Sequence, residues 1–378
     1  MAMEQFVTIG TKVTAFCERF GLEIPIMLAP MAGASAPGLS AAVMRAGGMG
    51  ALGALVMKPP EIADWVAEVR RSAEGPLQLN LWVPDPAPIR DAAAEARVRK
   101  FLRDWGPEVP SSAGDAVLLD FASQFDALLD ACPAAISSVM GLYPQEMVAR
   151  AKAKGIAWFA VVSTVRDARA AENAGADVIV VQGMEAGGHR AAFRAQDAES
   201  ELVGLISLLP AVVDAVRVPV VATGGIADGR GVAAALALGA SAAQIGTGFL
   251  RCPEAAIHPT WAAAIGRTAP EDTRVSRVFS GRPGRSVATE YVRAAIAPNS
   301  PPPAEYPVQR GMTTPMRNEA GRVGDVERMQ AWAGQSAALA STEPATALAK
   351  RFWSDARDIL QYEPKSGPTA SRPLHTQW

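Results

Sequence analysis

Cysteine is scarce in this chain, and the scarcity narrows its chemistry. The 378 residues carry three, Cys17, Cys132 and Cys252, far apart and without CxxC spacing. Three cannot all pair within one chain, so no disulfide framework is expected and free thiols suit a reducing cytoplasm. Histidine is as rare: His189, His258 and His375 are scattered, which argues against a metal site. Charge of one sign is missing too. A net charge of −2 and no run of Lys or Arg exclude an obvious polyanionic partner, so no nucleic acid is expected, while a small neutral or anionic ligand fits. The N-terminus lacks a basic segment followed by an apolar stretch and a small-residue cleavage site, which predicts no secretory signal and a cytoplasmic protein. Val232 to Leu250 is long and uncharged, yet Gly239, Ser241, Gln244, Gly246 and Thr247 interrupt it. A buried helix followed by a buried strand explains it better than a membrane span. No G-x-S-x-G elbow occurs, no Ser-His-Asp order can be argued, and Cys252 reads as structural.

What is present is enough apolar sequence, 49% of the chain, to bury a full core as one large barrel domain or two smaller ones. Short apolar runs alternate with helical patterns from residue 26 onward: Ile26–Ala29, Met49–Ala54, Leu77–Trp82, Ala134–Val139, Ala157–Ser163, Asp177–Gln182, Val218–Thr223 and Ser241–Gly246. Most are continuously apolar, as parallel strands covered on both faces must be. Helices are expected near Pro37 and at Pro59-Pro60, where proline suits the first turn. Ala174-Gly175-Ala176 and Leu238-Gly239-Ala240 read as helix ends. An open doubly wound sheet gives the same local signals, but eight strands predict an α/β fold of the (β/α)8 TIM barrel type. Residues 84–132 are long for one crossover and read as a helical insertion, and an irregular and helical extension follows residue 250. Within it, Ser280–Ser286 and Ala297–Pro307 read as ordered loops over the barrel mouth or as linker. From about Pro364 a poorly ordered tail is expected.

Barrel active sites lie at the carboxyl ends of the strands, and four ends carry a signal. Ala29–Ser35 is built of small residues that let backbone approach a flat ligand, although taken alone the segment reads more plainly as a tight βα turn. Thr223-Gly224-Gly225-Ile226 and Gly246-Thr247-Gly248-Phe249 are paired glycine turns leading toward helix N-termini, where exposed N–H groups suit a phosphate. Gln182–His189, "QGMEAGGH", places His189 on a flexible loop over the mouth, where imidazole can exchange a proton near neutral pH. A structural histidine is the plainer alternative, and Glu185 reads as a residue fixing the loop. Gly48, Gly50 and Gly53 match GxGxxG, but they precede or lie inside a strand, so a dinucleotide fingerprint is rejected.

Taken in order, "IPIMLAPMAG", "NLWVP", "VVQGMEAGGH", "VATGGIADG", "IGTGFL", "SGRPGRS" and "WAGQ" resemble the nitronate monooxygenases, class I members above all, from about Ile24 to Gln335. The resemblance implies an FMN-binding TIM-barrel core over residues 1–250. Residues 251–363 would complete the barrel and cover its mouth. Ala29, Pro30 and Met31 would lie against the flavin ring, Asn80 and Gln182 at its polar edges, and Gly224, Gly225, Gly246 and Thr247 around its phosphate. Gly187 and Gly188 would belong to the same cofactor site, and His189 would be catalytic, removing an α-proton from a nitroalkane or holding a nitronate. No metal is implied. The implied reaction oxidises alkyl nitronates, such as propionate 3-nitronate, with O2 to a carbonyl compound and nitrite via a flavin semiquinone. FMN-dependent NAD(P)H:quinone reductases and enoyl-acyl-carrier-protein reductases on the same barrel are the alternatives, followed by a non-catalytic barrel binding a phosphorylated ligand. The sequence leaves oligomeric state unfixed and is compatible with a homodimer. One departure stands out: where class I relatives carry a histidine in a segment like "SFHFG", this chain reads Ser137-Ser138-Val139-Met140-Gly141. Tyr143 downstream either lends the pocket a hydroxyl or is a surface turn residue.

Overall fold

The structure is a computed structural model that describes residues 9–361; the tail expected from Pro364, with His375, lies outside them. In chain order the described strands are β1 (Ile26–Leu28), β2 (Gly50–Gly53), β3 (Leu77–Trp82), β4 (Ala135–Val139), β5 (Ala157–Val162), β6 (Val178–Gln182), β7 (Gly188–His189), β8 (Val220–Thr223), β9 (Ala242–Ile245), β10 (Thr273–Ser276) and β11 (Gly284–Val287). Eight of them form one parallel sheet in the order β1-β9-β8-β6-β5-β4-β3-β2. The ring closes between β1 and β2 through a parallel bridge of Met27 with Met49, where Leu28 N–H donates to the Met49 carbonyl at 2.9 Å. This is the expected TIM barrel, with each strand inside its expected run.

The apolar runs have two audiences. Along β6, Val178 and Val180 point into the barrel interior with Phe159, Val161, Val221 and Met27, whereas Ile179 and Val181 join the core between strands and outer helices. Each such side chain contributes about 1.5–3 kcal/mol of burial. Phe16 and Phe20 of the N-terminal helix Ile9–Phe20 pack on Phe159, with Phe20 at 5.1 Å, and plug the end where the strands begin. The opposite end, where the strands finish, is left open to loops. The uncharged stretch after Val232 is the buried helix Gly229–Ala237 followed by β9, and no helix among the described residues is long and apolar enough to cross a membrane.

Two excursions build a cap. Between β3 and β4, helix Ala92–Leu102 and the short turn Ser111–Gly114 pack against the late helix Val308–Val323, and only Phe121–Asp130 serves as the crossover helix against β3. After β9 the chain adds β10 and β11, which join β7 in an antiparallel sheet of order β10-β11-β7. Ser280–Ser286 is therefore ordered structure, not linker: Gly284 pairs with His189. Finally, helix Ala345–Leu360 docks on Gly229–Ala237 and Pro37–Arg45, in the outer ring beside β1.

Candidate active site

A cavity of about 430 Å³ opens at the carboxyl ends of the barrel strands. It is lined by all the residues that the resemblance assigns to cofactor and catalysis: Ala29, Pro30, Met31, Asn80, Gln182, Gly187, Gly188, His189, Gly224, Gly225, Gly246 and Thr247. The fold explains the convergence, since these residues lie near or just past the carboxyl ends of five parallel strands, β1, β3, β6, β8 and β9.

At the β8 and β9 side it is the backbone itself that faces the cavity. Gly224 and Gly225 adopt φ of +109° and +69°, a region that disfavours any residue with a Cβ. The N–H groups of Gly224, Gly225 and Gly246 have no acceptor among the described residues. Thr247 Oγ accepts from Gly334 N–H at 3.0 Å and keeps its own proton to donate. One expectation needs correction: the helix after Gly225 is already capped by Asp228, whose carboxylate accepts from Gly231 N–H at 3.1 Å. An anion there meets the N–H groups of the turn, not that helix end.

The His189 loop is pinned, not flexible. Gln182 Nε2 donates to the His189 carbonyl at 3.1 Å, and its Oε1 accepts from Ala191 N–H at 2.9 Å. Buried Arg190 donates to the Gly183 carbonyl at 2.7 Å. Glu185 accepts from Leu205 N–H at 2.9 Å, fixing the loop to the helix it precedes. A Cβ on Gly187 would lie 2.6 Å from Gly334 N, so only glycine lets the cap segment approach so closely. Asn80 spends its Nδ2 on the Ser137 carbonyl and hydroxyl, both at 3.0 Å, which leaves Oδ1 to accept.

His189 stands edge-on between Trp82 and Trp332, with ring centroids 4.6 and 4.7 Å away. Its Nε2 lies 2.8 Å from Ser280 Oγ. That hydroxyl donates to the Arg282 carbonyl at 3.1 Å and accepts from Arg282 N–H at 3.2 Å. Ser280 thus engages Nε2, and Nδ1 has no hydrogen-bond partner among the described residues. Burial, reinforced by the charges of Arg282, Arg310 and Arg317, lowers the imidazole pKa to about 3. His189 is therefore neutral at physiological pH.

Tyr143 fits neither reading offered for it. It is buried behind the sheet against Phe125 and Trp158, and its hydroxyl donates to the Ser137 carbonyl at 2.7 Å, so it supports β4 from outside the cavity. Val139 and Met140 face the cavity in its place. Cys252 is buried and its thiol is pushed up to about 12, mainly by that burial, so it stays protonated. His258 caps helix Pro259–Ile265 by accepting from Thr260 N–H. No cluster of metal-ligating side chains occurs among the described residues.

Sequence reasoning passed over Trp82, Gln244, Ser280, Arg310, Arg317, Gln330 and Trp332. Trp82 ends β3 and Gln244 lies in β9, so the strand-end rule could have found them. Arg310 and Arg317 sit seven residues apart on one face of helix Val308–Val323, a spacing that shows a shared face without showing what it meets.

The model of the nitronate monooxygenase family matches residues 14–355. A nitronate monooxygenase of Paraburkholderia phytofirmans is 35% identical over 94% of this chain and 98% of its own. Among solved structures, nitroalkane oxidase from Streptomyces ansochromogenes superposes with a TM-score of 0.83 at 34% identity, covering 92% of this chain and 99% of that one. FabK from Thermotoga maritima gives 0.71 at 27% identity, covering 92% and 97%. On this evidence the chain belongs to the nitronate monooxygenase family and is an oxidoreductase.

Proposed function

We propose that this protein binds FMN across the barrel mouth and oxidises alkyl nitronates with dioxygen to a carbonyl compound and nitrite. The observation that carries this reading is the cavity's charge. Among the described residues no Asp, Glu or Lys lines it, its only charged side chains are Arg310 and Arg317, and its histidine is neutral. Such a cavity takes anions.

The residues fit a flavin mononucleotide. The unpaired N–H groups of Gly224, Gly225 and Gly246, with the Thr247 hydroxyl, match a phosphate in number and kind. Ala29, Pro30 and Met31 offer a wall of modest side chains to a flat ring. Gly53 sits behind them, where a Cβ would lie 2.6 Å from Ala32 N. Asn80 Oδ1 accepts at the polar edge. FMN, when bound, would supply the redox chemistry, removal of electrons from the nitronate and their delivery to dioxygen.

The chain's own part is binding, orientation and proton control. Arg310 and Arg317 attract the anion, and Trp82 and Trp332 hold the imidazole so that Ser280 engages its Nε2. Nδ1 is left to exchange a proton or hydrogen bond. With a pKa of about 3, His189 is a weak base toward a neutral nitroalkane. A nitronate has already lost that proton, so the electrostatics favour it as the working substrate.

Purified protein should be yellow and release FMN on denaturation. It should consume oxygen with propionate 3-nitronate or an alkyl nitronate without NADH. A colourless protein that takes up no FMN would sink the proposal, as would rapid anaerobic bleaching by NADH with no nitronate turnover.

A further inference from the structure

A second cavity, of about 320 Å³, abuts the first, with Leu55 and Trp82 common to both walls. That volume lies at the lower end of the range for small-molecule pockets. The loops after β2 and β3 build it together with the stretch leading into helix Phe121–Asp130, so it belongs to the insertion. Its character differs from that of the first cavity. Among the described residues no Lys, Arg or His lines it, and Val83, Leu118, Leu119 and Phe121 give it an apolar surface. Leu118 also reaches solvent, as does its neighbour Val117, which is 94% exposed, and apolar side chains left open at a cavity rim suit the entry of an apolar ligand.

Most polar groups of this chamber are already spent. Asp85 holds Arg282 in a two-point ion pair of 2.7 and 2.8 Å. Asp120 caps its helix by accepting from Ser123 N–H at 2.7 Å, and Gln124 Nε2 donates to the Ala54 and Met57 carbonyls at 3.0 and 2.8 Å. Tyr306 is the exception. It is only 6% exposed, its ring lies 5.6 Å from that of Trp82, and its hydroxyl is buried with no hydrogen-bond partner among the described residues. A buried hydroxyl left unmet is costly, and a ligand oxygen would meet it. With two carboxylates in its wall and no cation, the chamber is unfit for a second anion.

Its place in the ring says which part of a ligand reaches it. β3 stands opposite β8, four strands away in either direction, so the chamber lies across the mouth from the Gly224-Gly225 turn. A phosphate held there is far from the chamber, whereas a molecule reacting beside His189 has it just past Trp82. Resting on the nitronate reading above, we propose that this second chamber receives a neutral, mainly hydrocarbon tail of the substrate, with the Tyr306 hydroxyl donating to an oxygen acceptor in that tail. The substrates best served are then nitronates on a longer uncharged chain.

The test uses flavin-loaded protein and two readouts. In turnover, kcat/KM for octyl-1-nitronate should exceed that for propyl-1-nitronate at least tenfold, mainly through KM. Leu119→Trp, which fills the chamber, and Leu118→Trp, which narrows its open side, should each erase that advantage and leave propyl-1-nitronate turnover near wild type. In calorimetric titrations 2-octanone should bind, Tyr306→Phe should weaken it at least fivefold, and Leu119→Trp should abolish it. Equal kcat/KM for the two nitronates in wild type would overturn the chamber alone, as would 2-octanone binding that neither tryptophan variant disturbs. Wild-type protein that oxidises no nitronate, yet binds 2-octanone and loses it in Leu119→Trp, would overturn the nitronate reading and keep the chamber.

Discussion

At the β8 and β9 side of the cavity the groups offered to a ligand are backbone N–H groups of Gly224, Gly225 and Gly246; at the His189 side they are the side chains of His189, Arg310 and Arg317. The first side belongs to the barrel. Its geometry follows from turns a few residues long, and it carries no charge of its own. The second side is assembled by the cap, from residues far apart in the chain, and it is positively charged. The contrast separates two tasks. The backbone side suits a permanent occupant that must always sit the same way. The side-chain side can be retuned by single substitutions.

The sharpest way to break the first side is Gly246→Val. A Cβ at this position would meet Met31 Sδ and Ala29 Cβ at 3.3 and 3.4 Å, both in the cavity wall. The added side chain should push the phosphate off the N–H groups of the turns and weaken FMN binding about 10³-fold. The barrel should survive, as circular dichroism and thermal melting would show. FMN titration with an affinity near wild type would mean that the phosphate lies elsewhere.

A smaller effect is expected at the second side. His189→Asn should lower activity on a neutral nitroalkane about 10²-fold, and activity on the preformed nitronate much less, because only the former needs a base. Equal losses on both would show that His189 acts in binding and not in proton transfer.

The smallest effect concerns stability, and it tests the charge contrast itself. The imidazole pKa falls from 6.5 unfolded to about 3 folded. Between those values the unfolded chain binds the extra proton, so the contribution to stability is present above pH 6.5 and is lost as pH falls toward 3. Flavin-free wild type should therefore lose about 2 kcal/mol more than His189→Gln between pH 7 and 5 in denaturant melts. Identical losses would show that the imidazole protonates freely and that the arginines do not press on it.

The backbone side was legible in sequence because its signals are local. Gly224-Gly225 and Gly246-Thr247 each follow an apolar run, and a glycine pair at a strand end says what it does without reference to the rest of the chain. His189 was legible for the same reason, but its surroundings were not. The loop looked free because two glycines precede the histidine; the bonds that pin it come from Gln182, Arg190 and the cap strand β11. Ser280, which engages its Nε2, is 91 residues away. Tyr143 shows the opposite failure. Its place just past a strand end suggested the mouth, yet its ring turned outward into the aromatic cluster between sheet and helix.

By itself the sequence determined the eight strands, their parallel order, the closure implied by their number, and the glycine turns and histidine that must gather where the strands end. Period and turn chemistry act over a few residues, and that is the range over which sequence speaks directly. Only the tertiary structure decided that the histidine is neutral, that Trp82 and Trp332 clasp it, and that Arg310 and Arg317 are the cavity's sole charges among the described residues. Those facts depend on which face of helix Val308–Val323 turns inward and on which carboxylates fail to reach it. Coulomb forces and burial act through space, so they took their values only when the cap came down on the barrel.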